Sequence, residues 1–216
     1  MTSKPFTVQT YNAHDKGIPE RTTFVHLTER PPVIHLDGLL KAGYEAFYPQ
    51  RGTDAMLWET KRLTKHGTSI EQAWESGRDH GVPGTTPDGF VLSWWGRLDD
   101  ELGDGDEVAF VGSHLVNNAF GPNLRGERAL RLRLWHQGWS AMRDKARHFR
   151  KAGYRTFRLG DLNRRPRYWL AIVSRSIGIG YDRVIHPLSV KLLRSWRGDR
   201  EGSDHRPLIG QYRITR

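Results

Sequence analysis

Two segments, Gly160-Asp161-Leu162-Asn163 and Gly202-Ser203-Asp204-His205-Arg206-Pro207-Leu208, decide how this 216-residue chain is read. In both, apolar β-forming residues meet a knot of short polar side chains. Thr156 to Leu159 predicts a strand that stops at Gly160-Asp161, and Leu208 to Ile214 predicts one entered from Ser203-Asp204-His205. Moving outward, the same junction recurs. Phe6 to Tyr11 alternates apolar and polar residues as a half-buried strand does and ends at Asn12, and Glu107 to Leu115 carries Ser113-His114 near its end. Any one of these clusters alone is an ordinary turn or cap. Four of them, all at strand ends, point to a site built on loops above a β scaffold.

The rest of the chain supplies that scaffold. Val33-Ile34-His35-Leu36 predicts a short strand entered through Pro31-Pro32, and Leu39 to Ala42 a brief helix stopped by Gly43. Ala46 to Tyr48 and Ala55 to Trp58 predict two further strands. Thr60 to Asp88 is polar and broken by glycine and proline, which predicts a long surface excursion with a helical piece at Ile70 to Glu75. Phe90 to Arg97 and Glu107 to Leu115 flank the acidic stretch Asp99 to Asp106 and predict a β-hairpin. The clearest helix is Leu124 to Ala152. There Leu130, Leu134, Met142, Ala146 and Phe149 recur at three- and four-residue spacing, with Asn123 as N-cap and Gly153 as stop. Tyr181 to Ile185 adds a late strand. Many strands and one long helix predict α/β or α+β layers in a single domain.

Composition narrows the function. The chain has no cysteine, which excludes disulfide scaffolds, Cys-ligated zinc or iron–sulfur sites and thiol catalysis. No apolar run approaches the length of a membrane span, and the first residues have no apolar signal region, so the expected setting is cytoplasmic with no membrane partner. The net charge is +10 and unevenly spread. Residues 1–120 hold 11 Lys+Arg against 17 Asp+Glu, whereas residues 121–216 hold 23 against 7. Of the 34 cations, 26 are arginine, whose planar fork suits phosphate. A basic half of this strength suggests a polyanionic partner.

Five segments in this order, Thr10-Tyr11-Asn12, Gly112-Ser113-His114-Leu115, Gly160-Asp161-Leu162-Asn163, Tyr181-Asp182-Arg183-Val184-Ile185 and Gly202 to Leu208, resemble the endonuclease/exonuclease/phosphatase superfamily. That group includes pancreatic-type deoxyribonucleases, abasic-site endonucleases and inositol-polyphosphate phosphatases. The resemblance spans residues 7 to 214 and implies a two-sheet β-sandwich flanked by helices, a four-layer deoxyribonuclease-like fold. It also implies hydrolysis of a phosphate ester with Mg²⁺, for which Mn²⁺ can substitute. On this resemblance Asn12 and Asp204 contribute to holding the metal. Asp161 orients or deprotonates the attacking water, and Asn163 fixes that geometry. His205 donates to the phosphoryl oxygens, Asp182 orients His205, and His114 contacts the phosphate or the leaving oxygen.

One position departs from the pattern. The superfamily carries a metal-binding Glu at the end of its second strand, in a Leu-Gln-Glu context. Taking Val33 to Leu36 as that strand puts Asp37 on the Gln and Gly38 on the Glu, so either Asp37 reaches the metal from one position earlier or the site lacks that carboxylate. Glu29, Asp54 and Glu59 are further substitutes that the spacing does not favour. This departure leaves room for a catalytically degenerate nucleic-acid-binding protein. The charge map favours a nucleic acid, DNA rather than RNA, over a small phosphate ester. Arg164, Arg165 and Arg167 follow the Asp161/Asn163 pair, and Arg194, Arg197, Arg200 and Arg206 surround Ser203-Asp204-His205. Trp169 and Trp196 lie among them as potential stacking surfaces.

Overall fold

Strand pairing organises the molecule. The computed structural model describes residues 4–13, 19–30, 32–75, 88–99, 105–116, 119, 127–163, 174–179, 181–200, 203 and 205–215. In chain order its strands are β1 (Phe6–Asn12), β2 (Phe24–Thr28), β3 (Tyr44–Phe47), β4 (Ala55–Glu59), β5 (Leu63–Trp74), β6 (Gly89–Leu98), β7 (Asp106–Gly112), β8 (Arg155–Asp161), β9 (Ser174–Ile179), β10 (Asp182–Pro187), β11 (Val190–Arg197) and β12 (Leu208–Ile214). They form two six-stranded sheets, in the orders β11-β12-β1-β2-β4-β3 and β5-β6-β7-β8-β10-β9. Each sheet is antiparallel except for one central parallel pair, β1 with β2 and β7 with β8. Helix α1 (Asp37–Lys41) belongs to the apolar cluster that covers the first sheet's outer face, with Leu36 and Leu39 against Tyr11, Val25 and Leu57. Helix α2 (Glu127–Lys151) covers the second sheet, burying Leu134, Trp135, Met142 and Phe149. The two-sheet sandwich flanked by helices is the expected fold class.

Pleating explains why one end of the sandwich is polar. Alternate residues of a strand face the space between the sheets. Successive inward positions read Phe6-Val8-Thr10-Asn12 on β1, Phe24-His26 on β2 and Phe157-Leu159-Asp161 on β8. The apolar part packs tightly. Phe24 and Phe110 stack across the sheets with ring centroids 3.7 Å apart, and Phe110 lies 5.2 Å from Phe157. Burying each such ring is worth about 1.5–3 kcal/mol. The last inward residue of each strand is polar, and the parallel pairs end level with one another, so these residues converge on one rim.

Two expectations are corrected. Val33–Leu36 is a 3₁₀ turn, closed by the His35 amide donating to the Pro32 carbonyl at 3.0 Å, and not a strand. The second strand lies earlier, at Phe24–Thr28. All five of its residues are buried, as a strand in a parallel pair requires, so it shows no alternation. The first part of the predicted excursion, with its helix at Ile70 to Glu75, is instead the 12-residue edge strand β5, paired with β6 along its length, while residues 76–87 lie outside the described residues. Its polar residues face solvent, which an edge strand tolerates. The predicted hairpin is present as β6 and β7, and the long helix as α2, while Asn123 and residues 100–104 lie outside the described residues.

Candidate active site

Asn12 closes β1 and is buried, its amide nitrogen 3.5 Å from Asp161 Oδ2 across the sandwich. Because β2 runs parallel to β1 with Thr28 beside Asn12, the residue after that strand stands on the same rim. That residue is Glu29. Its carboxylate Oε1 lies 3.9 Å from His114 Nδ1, while His114 Nε2 lies 3.9 Å from Asp161 Oδ2. One imidazole is therefore flanked by two carboxylates. Among the described residues, Glu29 and Asn163 alone combine a side chain with a positive φ, both at 48°. A bulky residue held in the left-handed region costs of order 1 kcal/mol and gathers at functional sites.

Asp161 closes β8 and is 2% exposed. Its Oδ1 accepts the Asn163 amide at 2.9 Å, and the Asn163 side-chain amide donates to the Leu115 carbonyl at 2.6 Å. The turn after β8 is thereby pinned to the turn after β7, which carries His114. Directly across the ladder from Asp161 sits Asp182, the first residue of β10. Asp182 Oδ2 bonds His205 Nδ1 at 3.1 Å, and its Oδ1 is buried with no hydrogen-bond partner among the described residues. Burial pushes the Asp182 carboxyl up to about 6. The hydrogen bond from His205 pulls the other way, and the nearby Asp161 charge adds to the rise. Asp161, Asp182 and His205 each present a ligand atom within 4.8 Å of the others.

Two further groups hold this cluster in place. The Ser203 hydroxyl donates to the Asn12 carbonyl at 2.7 Å and accepts the His205 amide at 3.0 Å. It ties the segment before β12 to the end of β1. The second group is a buried pair. Asp54 Oδ2 accepts the His114 amide at 3.0 Å and lies 3.5 Å from Nε2 of the fully buried His26. The His26 ring lies against Gly112, where a Cβ would come within 2.4 Å of it. His26 gives no signal in the sequence, because β2 is buried at every position and shows no alternation.

The structure thus gathers Asn12, Glu29, His114, Asp161, Asn163, Asp182 and His205 on one rim. It does not bring Asp37 there. Asp37 opens α1, its side chain is 56% exposed, and it lies 3.7 Å from Lys41 one turn on. Arg197 and Arg206 are exposed at the end of β11 and just before β12. Trp196 is half-buried beneath the Arg194 guanidinium, 4.9 Å from its ring. Asp204, Arg164, Arg165, Arg167 and Trp169 lie outside the described residues. No helix among the described residues is long and apolar enough to cross a membrane.

No protein-family model and no curated protein sequence matches this chain. Solved structures do. The endonuclease/exonuclease/phosphatase protein from Bacteroides vulgatus superposes with a TM-score of 0.70 at 12% identity, covering 98% of this chain and 100% of that one. The human Nocturnin catalytic domain gives 0.69 at 12% identity over 98% and 95%. D. rerio TDP2 complexed with single-strand DNA product gives 0.64 at 12% over 96% and 98%. At these identities the likeness establishes a shared fold.

Proposed function

From the premise that this chain has the endonuclease/exonuclease/phosphatase fold, we propose that it is a metal-dependent phosphodiesterase that cleaves nucleic acid, DNA rather than RNA. The observation that carries this reading is the pairing of Asp182–His205 with Asp161 on one rim, beside Glu29, Asn12 and His114. A phosphodiester is anionic and repels hydroxide, so its hydrolysis needs positive charge at the phosphoryl oxygens and a positioned water.

The donor set fits Mg²⁺. A carboxylate and an amide oxygen, from Glu29 and Asn12, are hard ligands of the kind this ion takes, with water completing the shell. Asp182 and His205 are already committed to each other at 3.1 Å, and imidazole suits Mg²⁺ poorly, so that pair is left for proton and charge work. Glu29, Asn12 and, in line with the superfamily, Asp204 would hold Mg²⁺, which would supply charge neutralisation at the phosphoryl group. Asp161 accepts a proton from the attacking water while Asn163 holds its other oxygen. His205, kept in one orientation by Asp182, donates to the phosphoryl oxygens as charge develops. His114 faces the phosphate between Glu29 and Asp161. Glu29 follows the second strand, as the superfamily's metal-binding Glu ends it, and this supports an active enzyme over a degenerate binder. TDP2 complexed with single-strand DNA product supports a nucleic-acid substrate by analogy, and the arginine-rich half supports it through charge.

The test is nicking of supercoiled plasmid with Mg²⁺, Mn²⁺ or EDTA, comparing wild type with His205→Ala. Metal-dependent nicking lost in the variant is expected. Tight, salt-sensitive binding without nicking would return the chain to a binding role. Neither nicking nor binding, with release of inorganic phosphate from small esters, would make it a phosphatase.

A further inference from the structure

On the same rim, at the edge where β3 and β5 end, lies an open cleft of about 520 Å³, within the range of small-ligand sites. Phe47, Tyr48 and Phe90 give it aromatic walls, and Gln50, Arg51 and Gln72 give it polar edges. Its position follows from the registers. Phe47 pairs with Met56 at the start of β4, whose Ala55 pairs with Leu27 at the end of β2. On the other sheet Gln72 pairs with Phe90, two residues before Leu92, which pairs with Gly112. The cleft therefore opens two strand spacings, roughly 10 Å, from Glu29.

Both walls are anchored to the neighbours of site residues. Arg30, next to Glu29, stacks its guanidinium 4.5 Å from the Tyr48 ring centroid and donates to the carbonyls of Pro49 and Asp54, both at 2.9 Å. Ser113, next to His114, donates its hydroxyl to the Phe90 carbonyl at 2.8 Å. The loop between the walls crosses the Phe90 ring at Gly52, whose φ is +82° and where a Cβ would fall 2.8 Å from the ring. The cleft is thus pre-formed, and its shape depends on a residue with no side chain there.

We propose that this cleft is a nucleobase subsite, taking the base of a nucleotide adjacent to the scissile phosphate from a locally single-stranded substrate. The proposal rests on the phosphodiesterase reading of the neighbouring cluster. A flat π-face against Tyr48 and Phe47 provides stacking for any base. Glutamine amides provide both donors and acceptors for a base edge, and Arg51 lies exposed at the mouth, where backbone phosphate passes. A paired base inside a duplex cannot enter, so the cleft selects strands that are open at that position.

The test measures binding, which separates it from the fate of the catalytic reading. Asp161→Asn protein is titrated, in EDTA, with a short fluorescent single-stranded oligonucleotide. It is then titrated with versions in which one base at a time is replaced by a tetrahydrofuran ring. Removing the base at one position is expected to weaken binding about tenfold, and removal elsewhere much less. In Tyr48→Leu and in Gln72→Ala, a change on the exposed edge strand, that position's penalty should shrink toward none. Equal penalties at every position, or a penalty unchanged in both variants, overturn the subsite. If the penalty is present and sensitive to the variants while wild type cuts nothing, the subsite stands and the catalytic reading falls.

Discussion

Asp182 holds His205 with one oxygen and leaves the other buried and unbonded, and this has a measurable consequence. A carboxyl whose value rises on folding binds its proton more tightly in the folded state. Metal-free wild type should therefore lose stability relative to Asp182→Asn as pH rises from about 4 to about 6. The loss is roughly 3 kcal/mol, with a constant difference above that window. Urea unfolding of the two proteins across pH checks it, and parallel curves would remove the buried charge from the account. Metal ligation gives a second residue-scale prediction. Glu29→Gln should lower Mg²⁺-dependent cleavage about 100-fold, whereas Asp37→Asn should leave it within about twofold. Asn12, His114, Asp161, Asn163, Asp182 and His205 are legible in the sequence because each lies at or within three residues of a strand end, in a recognisable polar knot. Glu29 was hidden by a different circumstance. Its strand, Phe24–Thr28, is buried on both faces and lacks the alternation that marks a half-exposed strand, so the neighbouring Val33-Ile34 was read as the strand instead.

At the scale of elements, the site is a set of strand ends held by cross-ties. Ser203 joins the approach to β12 to the end of β1, and Asn163 joins the turn after β8 to that after β7. Ser203→Ala should lower kcat about tenfold with little change in KM, since it loosens His205 without touching substrate; a change confined to KM would argue against it. Gly112→Ala would drive a methyl group into the His26 ring. It should cost about 1–3 kcal/mol of stability, read as a lower urea midpoint. Element types were legible where pattern matched environment, as in β1, β8, β12 and α2. They failed on the buried strand β2 and on the edge strands β5 and β11. β5 and β11 have one neighbour each and a solvated face, so their sequences carry more charge than a strand template expects.

Across the whole molecule, charge is polarised along the chain, and the basic half supplies β8 to β12 together with α2. If nucleic acid lies along Arg197 and Arg206, replacing both with alanine should reduce the salt dependence of binding by about two phosphate contacts. Fluorescence titration at several salt concentrations measures that slope, and an unchanged slope would move the track elsewhere. The sheet order carries a further consequence. Strand β1 lies between β2 and β12, so the earliest strand is flanked on one side by the latest. Contacts this distant in sequence form slowly, because most of the chain must first be brought round on itself. Until that closure, Asn12 has no Ser203 beneath it and Asp182 has no His205 to hold. During synthesis the cluster on the rim therefore stays in pieces until β12 has been made and pairs with β1.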